Sequence, residues 1–213
     1  MAPKTGSSKM GVSLGNIIRM VADRYPTLLA TIMELMQNMI DADATEGEIK
    51  INLNRHRIIA MDNGNGCSRS EFDTVINDVG RSQKSGTTGE GFRFLGQFGI
   101  AIVAPVTKCG SYSFISAPKA GKGQRNWEGY TRHDFEDFIA RPNDDIDEIR
   151  WEQWQPSGKS VEKWNTYVQM YRVKKDKALR ANLSLERICN DAGVRFGEAL
   201  RQRQQAGKPC RIS

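Results

Sequence analysis

Glu34, Asn38 and Asp41 set a carboxylate, an amide and a second carboxylate four and three residues apart within an otherwise apolar segment. Across Thr27–Ile40, residues Leu28, Leu29, Ile32, Met33, Leu35, Met36, Met39 and Ile40 recur at three- and four-residue steps. At about 100° of rotation per residue they share one side of an α-helix, and Glu34, Gln37, Asn38 and Asp41 crowd the other. A helix anchored by its apolar side can hold a general base and a metal-ligating oxygen rigidly toward a ligand. The helix alone does not define a site, and two later segments bear on it.

Asp62 follows the apolar run Ile58–Met61 and precedes Asn63-Gly64-Asn65-Gly66. A carboxylate fixed at the end of a buried strand can accept from the exocyclic amine of a flat heterocycle. Glycines beside it let the ring approach closely. The same residues would also suit an ordinary Asx turn, and both readings stand at this level. The second segment, Gly86–Gly99, has glycine at 86, 89, 91, 96 and 99. Glycine-rich backbone leading into a helix suits phosphate binding through main-chain N–H groups. Its spacing matches neither a P-loop nor a dinucleotide fingerprint.

In order and spacing, the three segments together resemble the GHKL ATPases, the superfamily of gyrase B subunits, the ninety-kilodalton heat-shock chaperone, MutL, MORC proteins and histidine kinases. Glu34-Leu-Met-Gln-Asn38-Met-Ile-Asp41-Ala42-Asp-Ala44 is similar to the family's first box, and Met61-Asp62-Asn63-Gly64-Asn65-Gly66 to its adenine box. Leu95-Gly96-Gln97-Phe98-Gly99-Ile100-Ala101 is similar to the glycine box that ends the lid, closest to the chaperone's version. Asn165-Thr166-Tyr167-Val168 stands where the family closes the pocket with Gly-Thr. Asp43, Ala101 and Asn165 each replace a common glycine. The likeness runs from about Gly15 to the final helix.

The resemblance implies ATP and Mg²⁺ as ligands. Glu34 would orient and deprotonate the attacking water, and Asn38 would bind Mg²⁺. Asp62 would accept from the adenine amine, assisted by Thr166 through water. Asp41, Ala42, Gly64 and Gly66 would complete the adenine side, with Asp41 structural or a supporting partner there. Gly96, Gln97, Phe98, Gly99 and Ile100 would cradle the phosphates. Lys84 would reach a phosphate from the lid, or simply be solvated. Histidine kinases usually lack the glutamate and need a phosphoacceptor histidine. The two histidines here, His56 in a hairpin turn and His133 beside an acidic run, read as surface residues, which favours hydrolase over kinase.

The elements that must hold these residues are short and mixed. A helix is expected over Gly15–Arg24, then the Glu34 helix, then a hairpin of Glu48–Leu53 and Ile58–Met61 by alternation and burial. Ser70–Val79 has helical character, and Gly80–Gly91 is too rich in Gly, Ser and Thr to be regular. Strands follow at Ser111–Ser116, Ile149–Trp154 and Thr166–Val173, then a helix over about Ser184–Gln204, with Cys210–Ser213 starting another strand. Without regular βαβ alternation, this order predicts an α+β two-layer sandwich. The resemblance specifies it as a Bergerat fold, a mixed, mostly antiparallel sheet with helices on one face and a glycine-rich ATP lid. Residues 1–12 read as a flexible polar tail and 13–213 as one ATPase domain, expected to be the N-terminal part of a longer protein.

At 213 residues and 38% apolar content the chain can bury a core of its own. No run of about 18 apolar residues suggests a membrane span, and no signal sequence is evident, so a cytoplasmic protein is expected, or a nuclear one in a eukaryote. Cys67, Cys109, Cys189 and Cys210 fit no zinc spacing and are expected as reduced thiols. The net charge is +6, from 31 basic against 25 acidic residues. Acidic residues gather at Asp134–Glu148 and basic ones at Arg172–Arg180 and Arg195–Arg211. They are solvated faces, or the basic helix meets DNA or a neighbouring domain. Trp127, Trp151, Trp154 and Trp164 are expected in core packing at the sheet edge.

Three functional readings remain open. The first is an ATP hydrolase whose lid closure drives homodimerisation or rearrangement of a larger machine. The second is a non-catalytic ATP switch, and the third a MutL- or MORC-like ATPase acting on DNA.

Overall fold

A computed structural model describes residues 23, 25–68, 71, 105, 108–118, 127–133, 151–154, 163–177, 180–181 and 183–213. The expected helices over Gly15–Arg24 and Ser70–Val79, the N-terminal tail, the glycine-rich lid and the acidic run lie wholly or almost wholly outside these residues.

The described chain runs α1 (Leu28–Asp41), β1 (Glu46–Asn52), β2 (Arg57–Asp62), β3 (Cys109–Ser116), β4 (Trp127–His133), β5 (Trp151–Trp154), β6 (Thr166–Val173), α2 (Leu185–Gln205) and β7 (Arg211–Ile212). The strands form one sheet in the order β5-β4-β3-β6-β2-β1-β7. Only the edge pair β1–β7 is parallel among the described strands. The fold is the α+β two-layer arrangement expected, with both helices on one face.

The layers are set by period. On β2, β6 and β3 the registered rows Ile58–Met170–Tyr112 and Ala60–Val168–Phe114 point toward α1. They pack there against Leu28, Leu35 and Met39. The next side of α1, with Leu29, Ile32, Met33 and Ile40, meets Ile188 and Phe196 of α2. Each fully buried aliphatic side chain contributes about 1.5–3 kcal/mol, so α1 is held by two apolar contacts about a quarter-turn apart. Thr27 caps α1, its Oγ1 accepting from Ala30 N–H at 3.2 Å, and Ser184 caps α2 by accepting from Arg187 N–H at 3.1 Å.

Arg203 ties the two helices together. From the last turn of α2 it donates to Ile40 O at 3.3 Å, Ala44 O at 2.8 Å and Asp43 Oδ1 at 2.7 Å. A guanidinium at the carbonyl end of α1 also complements the helix dipole. Asp43 has φ +58°, which explains why a glycine is common there. Asp tolerates this conformation better than most residues, and its carboxylate gains the arginine. His56, expected as a surface residue, is half-buried instead. Its Nδ1 lies 3.0 Å from Val173 O and 3.2 Å from Arg180 Nη2, pinning the hairpin turn to the end of β6. All four cysteines are free, and Trp164 is buried as expected.

Lys108, just before β3, is buried. Burial lowers its ammonium to about 8; Asp23 opposes that, Lys174 adds to it, and Cys109 opposes it slightly. Between pH 8 and about 10.5 the unfolded chain therefore holds a proton that the folded chain has lost, and stability rises with pH across that window. Lys108→Met is expected to remove about 1–2 kcal/mol of this rise, read as urea midpoints at pH 8 and 10. Cys109, whose thiol burial pushes up to about 12, acts with the opposite sign above pH 9 and is common to both proteins.

Candidate functional site

Where β2 and β3 end and β6 begins, the two apolar rows are followed by a polar one. Asp62, Thr166 and Ser116 are registered neighbours on three adjacent strands. By strand alternation they share the face that the apolar rows present to α1. All three are buried. Ser116 Oγ lies 3.1 Å from Thr166 Oγ1 and donates to Asn165 O at 3.1 Å. Asp62 Oδ1 accepts from Gly64 N–H at 2.9 Å, the bond of an Asx turn, which fixes the orientation of the carboxylate. The turn reading and the binding reading of Asp62 are thus compatible, since the turn is what aims the side chain.

The Asn63–Gly66 turn is sewn to its surroundings. Asn65 N–H donates to Ala42 O at 2.7 Å, joining the turn to the C-terminal end of α1. Asn165 fills the position of the family's glycine and uses its amide, donating to Gly64 O at 2.6 Å and Asn63 O at 3.1 Å. Asn63 in turn accepts from Thr45 and Glu46 N–H, both at 2.9 Å. Gly64 is in close approach: a Cβ there would sit 2.6 Å from Ala42 O. Gly66 has φ +68°, and a Cβ would run into the Ala117 carbonyl. Gly66→Ala is therefore expected to cost about 3 kcal/mol or more, from left-handed backbone and overpacking together, measurable by chemical denaturation.

On α1, Asn38 and Asp41 are half-buried, and Asn38 O accepts from Ala42 N–H at 2.9 Å. Glu34, one turn earlier, is only 6% exposed. Its Oε1 accepts from Arg195 Nη2 of α2, and the same nitrogen donates to Gln37 Oε1 at 2.7 Å. The expected site face of α1 is thus shared with a neighbouring helix. The basic C-terminal helix is also less of a free cationic face than its composition suggests. Arg187 pairs with Asp191, Arg195 with Glu34, Arg201 with Glu198 and Arg203 with Asp43.

Of the residues expected from sequence, Ala42, Asp62, Gly64 and Thr166 come together around the Asn63–Gly66 turn, with Gly66 at its end. Glu34, Asn38 and Asp41 lie on the helix that ends there. Lys84, Gly96, Gln97, Phe98, Gly99 and Ile100 fall outside the described residues. Ser116 and Arg195 escaped the sequence reading. Among the described residues no His, Cys, Asp and Glu cluster suits a metal, and a single amide ligand beside nucleotide phosphates would not form one.

Residues 27–155, more than half of the chain, match the family described as Histidine kinase-, DNA gyrase B-, and HSP90-like ATPase. The chain belongs to that family. Membership makes ATP the expected ligand. The chain is also 31% identical over 98 residues to HgiDII of Herpetosiphon aurantiacus, a protein named as a type II restriction enzyme. That match covers 45% of this chain and only 16% of the relative's length. Among the described residues no helix is long and apolar enough to cross a membrane.

Proposed function

We propose that this GHKL domain binds ATP with Mg²⁺ and hydrolyses it, lid closure coupling the nucleotide to dimerisation or rearrangement of a larger protein. The observation that carries the reading is the row Asp62–Thr166–Ser116, set in register at the foot of α1. Its donor set fits an adenine: an oriented carboxylate to accept from the 6-amine, and the Thr166 hydroxyl beside it. Ser116, which accepts from Cys67 N–H at 2.9 Å and donates to Asn165 O, braces the row. Asp62 and Thr166 hold the base, and Gly64 and Gly66 allow the close-packed turn that aims the Asp62 carboxylate.

Asn38 offers a hard amide oxygen one turn from Glu34, and this fits Mg²⁺, which binds through one or two protein oxygens plus phosphates and water. Bound there, Mg²⁺ would offset charge on the β- and γ-phosphates. Glu34 orients the attacking water and takes its proton. Lys84 and Gly96–Ile100 contact the phosphates.

Isothermal titration of a non-hydrolysable ATP analogue, with and without Mg²⁺, tests the reading. Binding that strengthens with the metal is expected, and failure to bind under both conditions overturns it.

The match to HgiDII favours a second reading, in which the domain is the nucleotide-driven part of a protein acting on DNA. Duplex binding that falls steeply with salt would support it. The internal pairing of the α2 arginines weighs against α2 as the contact face.

A further inference from the structure

We infer that Arg195 is the positioning residue for the Glu34 carboxylate: α2 holds one oxygen of the general base so that the other is presented to water. The inference rests on the hydrolytic reading above. Among the described residues, Arg195 is the hydrogen-bond partner of Glu34, and it engages Oε1. Oε2 remains for the proton that hydrolysis releases. A buried glutamate with three rotatable side-chain bonds would otherwise sample several orientations, and a base must sit within hydrogen-bond reach of its proton to act.

The clamp itself is fixed from three sides. The guanidinium lies 5.4 Å from the Phe196 ring, which is in the core between the helices. Gln37, one turn from Glu34 on the same helix, shares the donating nitrogen. About two turns further along α2, Arg203 locks that helix to the end of α1 through Ile40, Asp43 and Ala44. One guanidinium nitrogen bridging two acceptors on α1 is a charge-assisted contact that adds geometric definition as well as attraction. The position of α2 therefore sets the aim of the base.

The test uses the full chain and five proteins: wild type, Arg195→Met, Arg195→Lys, Glu34→Ala, and Arg195→Met combined with Glu34→Ala. Methionine keeps much of the apolar stem while removing the donors. The expected result is a fall of about 10–100-fold in kcat for Arg195→Met. The affinity for a non-hydrolysable ATP analogue should stay within about twofold of wild type. Lysine, which can still donate to Oε1, should recover part of kcat, and Arg195→Met should change nothing further once Glu34 is alanine. Wild-type kcat in Arg195→Met, a gain in kcat, or an undiminished loss in the Glu34→Ala background would each overturn the inference. A thermal-denaturation cycle on the same variants reads the ion pair independently of turnover. Coupling without any wild-type hydrolysis would sink the hydrolytic reading and this inference with it, whereas absence of coupling would sink the pairing alone.

Discussion

Glu34→Ala is expected to leave ATP bound and all but stop its hydrolysis. A positioned general base contributes about 10²–10⁴-fold, so kcat should fall by that factor while the affinity for a non-hydrolysable analogue changes little. Glu34 belongs to α1, whose apolar core contacts are made by other residues, and the alanine removes none of those. What the substitution does leave behind is Arg195, 40% exposed at its side chain and able to turn to water. Folding should survive, and single-turnover hydrolysis alongside titration separates loss of chemistry from loss of binding. Hydrolysis at the wild-type rate in Glu34→Ala would remove the residue from the mechanism.

Asp62→Asn is the matching experiment for the base pocket. The amide keeps an oxygen able to accept from Gly64 N–H at the place where Asp62 Oδ1 does so now, so the turn is retained. It replaces an acceptor by a donor, and under the proposed reading that donor would face the adenine amine. Loss of a charge-assisted hydrogen bond costs about 1.5–3 kcal/mol, or roughly 10- to 150-fold in affinity. Guanine carries an acceptor where adenine carries the amine, so preference for ATP over GTP should shrink or invert in the variant. Titration with both nucleotides checks this. Equal affinity of wild type and Asp62→Asn for ATP would place the base elsewhere.

The parts of this arrangement legible in the sequence were those governed by short-range pattern. α1 follows from its three- and four-residue apolar steps, and Thr166–Val173 reads as the strand that β6 forms. The C-terminal helix begins after Ser184 because that serine caps it. β4 was missed: Trp127–His133 carries strand-forming aromatic and β-branched residues, but Gly129 and several polar positions hide the alternation. Asp62 and Thr166 were singled out by resemblance. Ser116 joins them only through register across three strands, which local composition does not encode. Arg195 and Glu34 are 161 residues apart, and nothing near either announces the other. The basic C-terminal stretch signals charge but not that helix packing turns Arg195 and Arg203 toward Glu34 and Asp43.

The registered polar row has one more consequence. Its members project from paired strands of a sheet interior, not from connecting segments, so their mutual spacing is as firm as the backbone ladder itself. Under the proposed reading, the purine side of the site would then be set before any nucleotide arrives, with little ordering entropy spent in shaping it. Discrimination among bases would become a property of the resting scaffold, leaving any ligand-driven rearrangement to the triphosphate end.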